Sequence, residues 1–459
     1  MPSMRNLRRI LFVLAVLVVI SLFGSTLTWA QTSPTTDELQ KKIDDLEKQI
    51  GDVKAQLASM PPPAPATPPP PAAAPASAPA EPAPAPTGLA ALLGPTTLSG
   101  FVDVYYGYNS NQPVNRTTAL RNFDINSGQF GLNMIELVAD RATSTDSRVG
   151  YHVALGFGQA MNLVNGFEGA SPNVPTTPSF PIPTQTNFDQ YLKEGYIEYL
   201  APAGKGLTID FGKFVTNAGA EVIETKDNWN YSRGLLFSWA IPYYHFGVRA
   251  KYAFNGKVAL SGFLLNGWNN VVDNNSGKTT GFTLALTPTK KLSLYENYYV
   301  GPEQSSVNGV SFNGNFRHLT DTVLVFNATP KLSLMANYDY AHETVTGASP
   351  IWWSGIAGYI KYAANAKWAF ATRGEYFIDH NGFATGLGSP QRVAEWTGTL
   401  ERTLAGHIIS RLEYRRDMSD QNVFPYRTSL IPGSTFLPMD HQNTVTVGFV
   451  YAFTTAPPQ

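Results

Sequence analysis

The sequence predicts an all-β fold, a transmembrane, antiparallel, up-and-down β-barrel of about sixteen strands. Three observations favour this class. Apolar and polar residues alternate from Thr97 onward, short and long connections alternate between the predicted strands, and only 15% of residues are charged. An average soluble protein has roughly 25% charged residues. A helical coiled-coil segment and a Pro/Ala-rich linker are predicted before the barrel.

Composition excludes several other classes. The 459 residues are 43% apolar, carry a formal net charge of −1 and contain no cysteine. Thiol catalysis, disulfides and cysteine-ligated metals are therefore excluded. No run of about 20 apolar residues follows the N-terminus, which excludes a bundle of membrane helices. Nucleic-acid partners usually require a basic excess, and none is present, so no nucleic-acid partner is expected.

Residues 1–30 have the pattern of a secretory signal peptide. Arg5, Arg8 and Arg9 precede a short apolar core, and Thr28-Trp29-Ala30 ends in a small residue suited to cleavage. An uncleaved inner-membrane anchor is the alternative, but the apolar core is short for that role. We therefore expect export across the inner membrane.

Residues 31–60 predict a periplasmic coiled-coil helix. Its apolar seam has the a/d spacing of a heptad, in which Leu39, Ile43, Leu46, Ile50, Val53 and Leu57 follow one another at intervals of 4, 3, 4, 3 and 4. A helix this short is marginal alone, so the seam predicts a partner helix and self-association. An amphipathic helix lying on another surface is the alternative, and the spacing leaves the oligomer number open.

Residues 61–96 predict a Pro/Ala-rich linker. Proline excludes regular helix or sheet here and favours extended polyproline II, at about 3.1 Å per residue. The linker could hold the coiled coil away from the barrel and toward the cell wall. A disordered spacer gives nearly the same expectation.

Residues 97–459 form the predicted barrel. Many of its strands have the roughly 9–11 residues that a tilted strand needs to cross a bilayer. The sixteen candidates lie near 97–108, 128–141, 148–158, 190–200, 207–213, 245–253, 258–266, 278–287, 291–300, 321–328, 331–342, 352–362, 367–379, 393–402, 407–417 and 442–453. The alternating short and long connections are typical of periplasmic turns and external loops, and they place both ends of the barrel in the periplasm.

Charged residues share one face of each predicted strand. A charge facing lipid at mid-depth is costly, so these side chains are expected to face a wet lumen of mixed charge. The lumen-lining candidates are Glu194, Glu198, Arg249, Lys251, Arg373, Glu375, Glu395, Glu401, Arg411, Glu413 and Arg415. Tyrosines near strand ends are expected to form aromatic girdles, namely Tyr105, Tyr106, Tyr108, Tyr196, Tyr199, Tyr298, Tyr299, Tyr338 and Tyr340.

The long connection 214–244 combines charged and aromatic residues. One hypothesis is that it folds into the lumen as a constriction, where opposed charges would select solutes by size, charge and dipole. The alternatives are that its aromatic residues pin the loop to the barrel wall, or that it points outward. The constriction candidates are Glu221, Glu224, Lys226, Asp227, Trp229, Tyr231 and Arg233. The equally long connection 159–189 predicts an external cap or subunit-contact loop.

Two stretches resemble a known family. The run Phe101-Val102-Asp103-Val104-Tyr105-Tyr106 and the block GKF…GAE…NWNYSRGLLF…P…H.GVRA.Y across 212–252 resemble the OmpL-like β-barrel porin family of Gram-negative bacteria, over residues 97–453. The resemblance implies an outer-membrane barrel with a pore role and carries over no catalytic residue. Here residues 454–459 follow the aromatic end of the last strand, where such barrels often stop.

Together these features predict a porin for passive diffusion of small hydrophilic solutes, in the cell outer membrane with the coiled coil in the periplasm. The expected partners are outer-membrane lipid and lipopolysaccharide, the solutes, and further copies of the chain, a trimer by analogy with general porins. A structural anchor that reaches peptidoglycan through the N-terminal segment is the first alternative. An outer-membrane hydrolase is the second, but the seven histidines are scattered and no nucleophile motif occurs, so no enzyme activity, metal or cofactor is expected.

Overall fold

The computed structural model describes residues 94–167, 188–306, 310–427 and 437–455. The predicted signal peptide, the coiled-coil helix and nearly all of the linker lie outside these residues, as does most of the 159–189 loop. Within the described part of the chain, no helix combines the length and the hydropathy needed to cross a membrane.

Sixteen antiparallel strands close into one barrel in chain order. The first and last strands join, with Ser99 opposite Thr454, so no sheet edge is left open. The strands are β1 Thr97–Asn109, β2 Gln129–Arg141, β3 Val149–Phe157, β4 Leu192–Ala201, β5 Leu207–Val215, β6 Tyr244–Asn255, β7 Val258–Leu265, β8 Thr279–Thr289, β9 Leu292–Pro302, β10 Phe316–Thr329, β11 Leu332–Glu343, β12 Ile351–Ala363, β13 Trp368–Asp379, β14 Gln391–Leu404, β15 Ile408–Ser419 and β18 His441–Thr454. Two short strands, β16 Phe424–Tyr426 and β17 Leu437–Met439, pair separately in the β15–β18 loop.

The remaining elements are short helical turns in the loops. They comprise α1 Gln159–Val164, the 3₁₀ turns Asn165–Phe167, Phe188–Tyr191 and Thr225–Asp227, and one π-helical turn, Leu236–Ala240. The last two lie in the segment 216–243, which we call the β5–β6 loop.

The closed sixteen-stranded antiparallel barrel confirms the fold class predicted from alternation. The largest difference in strand bounds is at β10, which begins at Phe316 rather than at the predicted 321. Its first residues pair with both β9 and β11, so neighbouring strands extend it through a stretch that resembles a loop in sequence. The pair β16–β17 was not predicted, since three-residue strands leave no usable alternation.

Connections at the two ends of the barrel differ in length. At one end they span 2 to 7 residues, as in 256–257 and 142–148, and at the other 7 to 34, as in 344–350 and 158–191. Both Thr97 and Thr454 lie at the short-turn end, as predicted.

The two faces of the barrel are inverted relative to a soluble protein. Large apolar side chains face outward and are exposed, with Phe130 at 85% and Ile197 at 60%. Charged side chains such as Asp103, Arg373 and Asp417 face inward and are fully buried. This is the arrangement of a barrel surrounded by lipid.

The aromatic-girdle prediction was partly wrong. Tyr105, Tyr196 and Tyr299 face the interior, where Tyr105 bonds Gln159 and the Tyr299 ring stacks on His245. The other six predicted tyrosines occupy outward positions of their strands. A tyrosine near a strand end therefore did not by itself indicate which face it occupies.

A β-bulge places one further charge inside the barrel. The register between β3 and β4 shifts where Ala154 faces Glu194 and Leu155 faces Leu192, so Lys193 is left over. As a result Lys193 and Glu194 are both buried in the interior. Strict alternation assigned only Glu194 to the lumen and missed its neighbour.

Candidate functional site

The β5–β6 loop leaves the wall after β5 and crosses the barrel interior. The Gly219 amide donates to Asp321 Oδ1 of β10 at 3.0 Å, and the Ala220 amide donates to Asn337 Oδ1 of β11 at 3.3 Å. Further along, the Leu235 amide donates to the Glu375 carboxylate of β13. The loop therefore spans from the strands where it begins to the opposite wall.

Arg373 of β13 is the centre of one attachment. Its Nη1 contacts Glu221 Oε1 and donates to the carbonyl of Ser232, both at 2.7 Å, while its Nε donates to Glu395 Oε1 at 2.8 Å. Glu221 Oε2 also accepts the Gly234 amide at 2.6 Å. One buried guanidinium thus joins two parts of the loop to the wall.

Strand β15 holds the loop through its backbone. Glu413 accepts the amides of Tyr231 at 2.6 Å and Ser232 at 2.9 Å. Arg411 donates to the carbonyls of Thr225, Asn228 and Asn230 at 2.6 to 3.1 Å. Arg415 donates to the carbonyl of Arg233 at 2.6 Å. Buried backbone groups need such partners in the absence of regular structure.

Tyr231 fixes the loop against β1. Its hydroxyl donates to Asp103 Oδ1 at 2.8 Å, and burial together with that carboxylate raises the pKa of Tyr231 well above its ordinary value. The Tyr231 ring lies against Gly448 of β18, where an added Cβ would stand 2.2 Å from a ring carbon. Glycine at 448 is therefore required for this close approach.

The end of the loop, 236–243, is apolar. Phe237 and Tyr243 pack against Phe123 of the β1–β2 loop, with ring centroids 5.9 and 5.8 Å apart. Trp353 of β12 donates its Nε1–H to the carbonyl of Ala240 at 3.0 Å. This part of the loop is held mainly by packing.

The seven constriction candidates occupy different environments. Glu221, Tyr231 and Arg233 are buried in contacts that hold the loop, and the Arg233 guanidinium lies 4.4 Å from the Phe123 ring centroid. Glu224 pairs with Lys193 of β4, and Trp229 packs edge-on against Tyr359 of β12. Lys226 and Asp227, 2.5 Å apart, keep 29% and 53% of their side chains exposed.

All eleven lumen-lining candidates lie on the interior face of their strands. Arg373, Glu375, Glu395, Arg411, Glu413 and Arg415 surround the loop as described, and Arg249 donates to Asn217 at its start, at 3.0 Å. Toward the short-turn end, Arg249 pairs with Asp210, and Lys251 pairs with Asp210 and Glu198 at 3.0 and 3.1 Å. Glu194 accepts the Val215 amide, and Glu401 pairs with Arg411 at 2.8 Å.

Several interior residues were missed from the sequence. Asp103, the acceptor for Tyr231, is the single charge in an apolar strand, so alternation could have identified it. Arg121 lies in the β1–β2 loop and pairs with Asp417 of β15 at 3.2 Å, and no local pattern indicates that contact.

A small cavity of about 190 Å³ opens on the interior near the short-turn end. Asp140, Tyr151, His152, Tyr196 and Glu198 are among its lining residues. His152 bonds Asp140 at 2.8 Å, and in the described chain no three or more His, Cys, Asp or Glu side chains group as metal ligands would. The interior chemistry is therefore that of a polar, mixed-charge surface.

Comparison with known proteins identifies the barrel type. A family model described as "Putative beta-barrel porin-2, OmpL-like" matches residues 95–453. An anion-selective porin from Comamonas acidovorans superposes with a TM-score of 0.52 at 9% identity, over 78% of this chain and 99% of that chain. The trimer form of OmpT, an outer membrane protein of Vibrio cholerae, gives 0.50 at 12% identity, over 78% and 99%. Among curated proteins, none matches the chain in sequence. At such identities the structural likeness concerns the fold alone.

Proposed function

The chain belongs to the OmpL-like β-barrel porin family, and from that premise we propose that it is a passive diffusion channel for small hydrophilic solutes, narrowed by the β5–β6 loop. As an outer-membrane porin, it has its long loops outside the cell and its short turns in the periplasm. The observation that carries the proposal is the passage of this loop across the interior, from its start after β5 to Asp321 of β10 and Glu375 of β13 on the opposite wall.

The interior arginines serve as loop supports in this proposal. Arg373, Arg411 and Arg415 are buried and occupied by carboxylates and loop carbonyls, so solutes would not meet them directly. The charges offered to solutes are instead those that stay partly exposed, namely Lys226 and Asp227 on the loop and Lys251 and Glu198 on the wall. Because both signs are present, the path would select by size and dipole more than by net charge.

The oligomer and the N-terminal segment complete the proposal. The protein assembles as a homo-oligomer, with a trimer favoured because the predicted coiled-coil seam requires partner helices and because one structurally similar barrel is described as a trimer form. A signal peptide at 1–30, a periplasmic coiled coil at 31–60 and a linker at 61–96 are consistent with Thr97 lying at the short-turn end. Lipid and lipopolysaccharide surround the exposed apolar face.

Single-channel conductance of the purified protein in a planar bilayer tests the constriction. We expect steady current in the wild type and a larger current when 221–233 is shortened, because the loop then obstructs less of the interior. Asp227→Lys should move the reversal potential in a salt gradient toward anion preference. The matched control is Asp420→Lys, on a long loop at the barrel rim, which should leave the reversal potential nearly unchanged.

The outcomes separate the alternatives. Current that is unchanged by shortening the loop would support the porin hypothesis and contradict the hypothesis that this loop is the constriction. Absence of current from both folded proteins would contradict the diffusion channel and favour the anchor, for which deletion of 31–86 should abolish function. A pore should conduct after that deletion.

A further inference from the structure

One carboxylate points out of the barrel instead of into it. Asn297 and Tyr299 of β9 are buried inside, so alternation places Glu296 on the outward face. Its Oε2 accepts a hydrogen bond from Thr322 Oγ1 of β10 at 2.7 Å. Among the sixteen barrel strands, all of which the structure describes, no other Asp or Glu occupies an outward position.

Glu296 lies near mid-depth of the membrane. From the periplasmic end of β5, the row of paired outward residues that contains it climbs to the extracellular end of β18. Its members, in order, are Leu207, Tyr252, Leu260, Leu284, Glu296, Thr322, Tyr338, Ile356, Tyr376, Ala394, Met418 and His441. Glu296 and Thr322 are the fifth and sixth of these twelve, in the middle of the climb.

Other polar groups adjoin Glu296 on the same face. We call this set the polar outer patch, and it consists of Glu296, Thr320, Thr322, Tyr338, Tyr340 and Ser354, which lie on β9 to β12. Outward positions in the middle of most other strands are apolar, for example Val104, Leu137, Val153, Ile197, Phe211 and Leu260. Hydrocarbon cannot satisfy a carboxylate and several hydroxyls, so lipid alone is an unfavourable neighbour for this patch.

Beside the patch the surface is flat. The next row carries Ala336 of β11, Gly358 of β12 and Gly374 of β13 at consecutive paired positions. A Cβ added at Gly358 would meet no atom within 4 Å. Small residues of this kind allow the backbone of another membrane segment to approach closely, and polar side chains then bond across the contact.

We propose that the polar outer patch is the surface on which a second copy of this chain docks in the membrane. A soluble partner cannot reach mid-depth, so the neighbour must be an integral membrane protein surface. The Glu296 carboxyl oxygens accept hydrogen bonds and the Tyr338, Tyr340 and Ser354 hydroxyls can donate them, so the patch has the complementary groups that two copies need near a symmetry axis. The inference rests on the proposed homo-oligomer and names its contact face.

A matched pair of glycines provides the test. The chain has no cysteine, so Gly358→Cys beside the patch and Gly262→Cys on the outward face of β7 each introduce a single thiol. Neither added Cβ would meet an atom within 4 Å, so both variants should fold, as heat-dependent gel mobility would verify. Each thiol receives the same fluorophore in the full-length protein, which is reconstituted in vesicles of phosphatidylcholine brominated on the acyl chains. The molar mass of the detergent-solubilised protein is measured in parallel.

We expect a molar mass of several chains and quenching at position 358 less than half of that at 262, because a neighbouring subunit excludes lipid from the patch. Equal quenching with an oligomeric mass would overturn the docking surface while leaving the oligomer in place. Equal quenching with the mass of one chain would overturn both. Neither result bears on the conducting path, which the conductance measurement tests separately.

Discussion

The two halves of the β5–β6 loop are held to the barrel by different forces. Residues 219–235 are attached by ion pairs and hydrogen bonds to β10, β11 and β13–β15, with Arg373 and Glu413 at the centre. Residues 236–243 are attached by packing, with Leu236 fully buried and Phe237 against Phe123. The first half consists largely of polar groups satisfied by the wall, and the second resembles a small hydrophobic core.

The difference indicates which half can set the width of a channel. Hydrogen bonds to buried charges depend on geometry, and losing one partner leaves the other charge uncompensated. Apolar packing tolerates rearrangement better but loses stability with each cavity. The polar half carries Lys226 and Asp227, whose side chains stay partly exposed, and the apolar half anchors it. Substitutions in each half should therefore differ in their effect on conductance as well as on stability.

The largest effect is expected from Arg373→Met. The substitution leaves Glu221 buried without its cation and removes one of the two cations of Glu395, which should lower the free energy of unfolding by about 3–5 kcal/mol. The polar half should detach, so channel current and proteolytic cleavage of the loop should both increase. Denaturant unfolding into detergent micelles, conductance and limited proteolysis measure these changes.

Arg392→Met is the control for Arg373→Met. Arg392 is on the outward side of β14 with 63% of its side chain exposed and lies 3.7 Å from Asp420. Its loss should change the free energy of unfolding by less than about 1 kcal/mol. Equal effects of the two substitutions would contradict the assignment of Arg373 as the central attachment.

Leu236→Ala addresses the apolar half. The Leu236 side chain is fully buried beside Gly355 of β12, so truncation should create a cavity and cost about 3 kcal/mol of unfolding free energy. Current should change less than in Arg373→Met, since the polar half stays attached. Val222→Ala, at a position 39% exposed in the same loop, should cost no more than about 0.5 kcal/mol. If Leu236→Ala increased the current as much as Arg373→Met does, the proposed distinction between the two halves would be contradicted.

The next prediction concerns Glu303, which lies just after β9 at the barrel rim beside the apolar half. It accepts the Trp268 amide at 2.8 Å, and the Trp268 ring packs edge-on against Trp353, which holds Ala240. Burial raises the pKa of Glu303 from 4.5 to about 7. The folded protein therefore binds this proton more tightly than the unfolded chain, and the stabilisation present at low pH is lost as pH rises through about 7.

Glu303→Gln keeps the side chain neutral and removes this titration. Relative to the variant, the wild type should lose on the order of 2 kcal/mol of unfolding free energy between about pH 5 and pH 7. Denaturant unfolding of both proteins at several pH values measures the difference. Parallel pH profiles would show that Glu303 does not titrate in this range.

Alternation alone predicted most of the barrel and the interior face of the eleven lumen-lining candidates, but it missed Asp103, Lys193 and the outward Glu296. Arg373, Glu395 and Arg411 were assigned to the interior because period-two patterning is a local property of a strand. The partners of these residues were not predictable, because the contact between Arg373 and Glu221 joins residues far apart in sequence. Lys193 was missed because a bulge breaks the alternation, and a bulge depends on pairing with β3. The sequence shows which half of the loop is polar, but it does not show that this half is attached to the far wall.

The smallest effect is expected from Tyr231→Phe, which removes one hydrogen bond from the polar half. Asp103 still accepts hydrogen bonds from the Thr225 hydroxyl and from the Asn133 side-chain amide, both at 2.5 Å, so it is not left unpaired. The ring still fits over Gly448, and the loss should be about 1 kcal/mol of unfolding free energy. Tyr414→Phe removes a hydroxyl that bonds Asn443 on the outward face, where a change below about 0.5 kcal/mol is expected. A loss at Tyr231 as large as that of Arg373→Met would mean that the attachment to β1, rather than the arginines of β13–β15, holds the polar half in place.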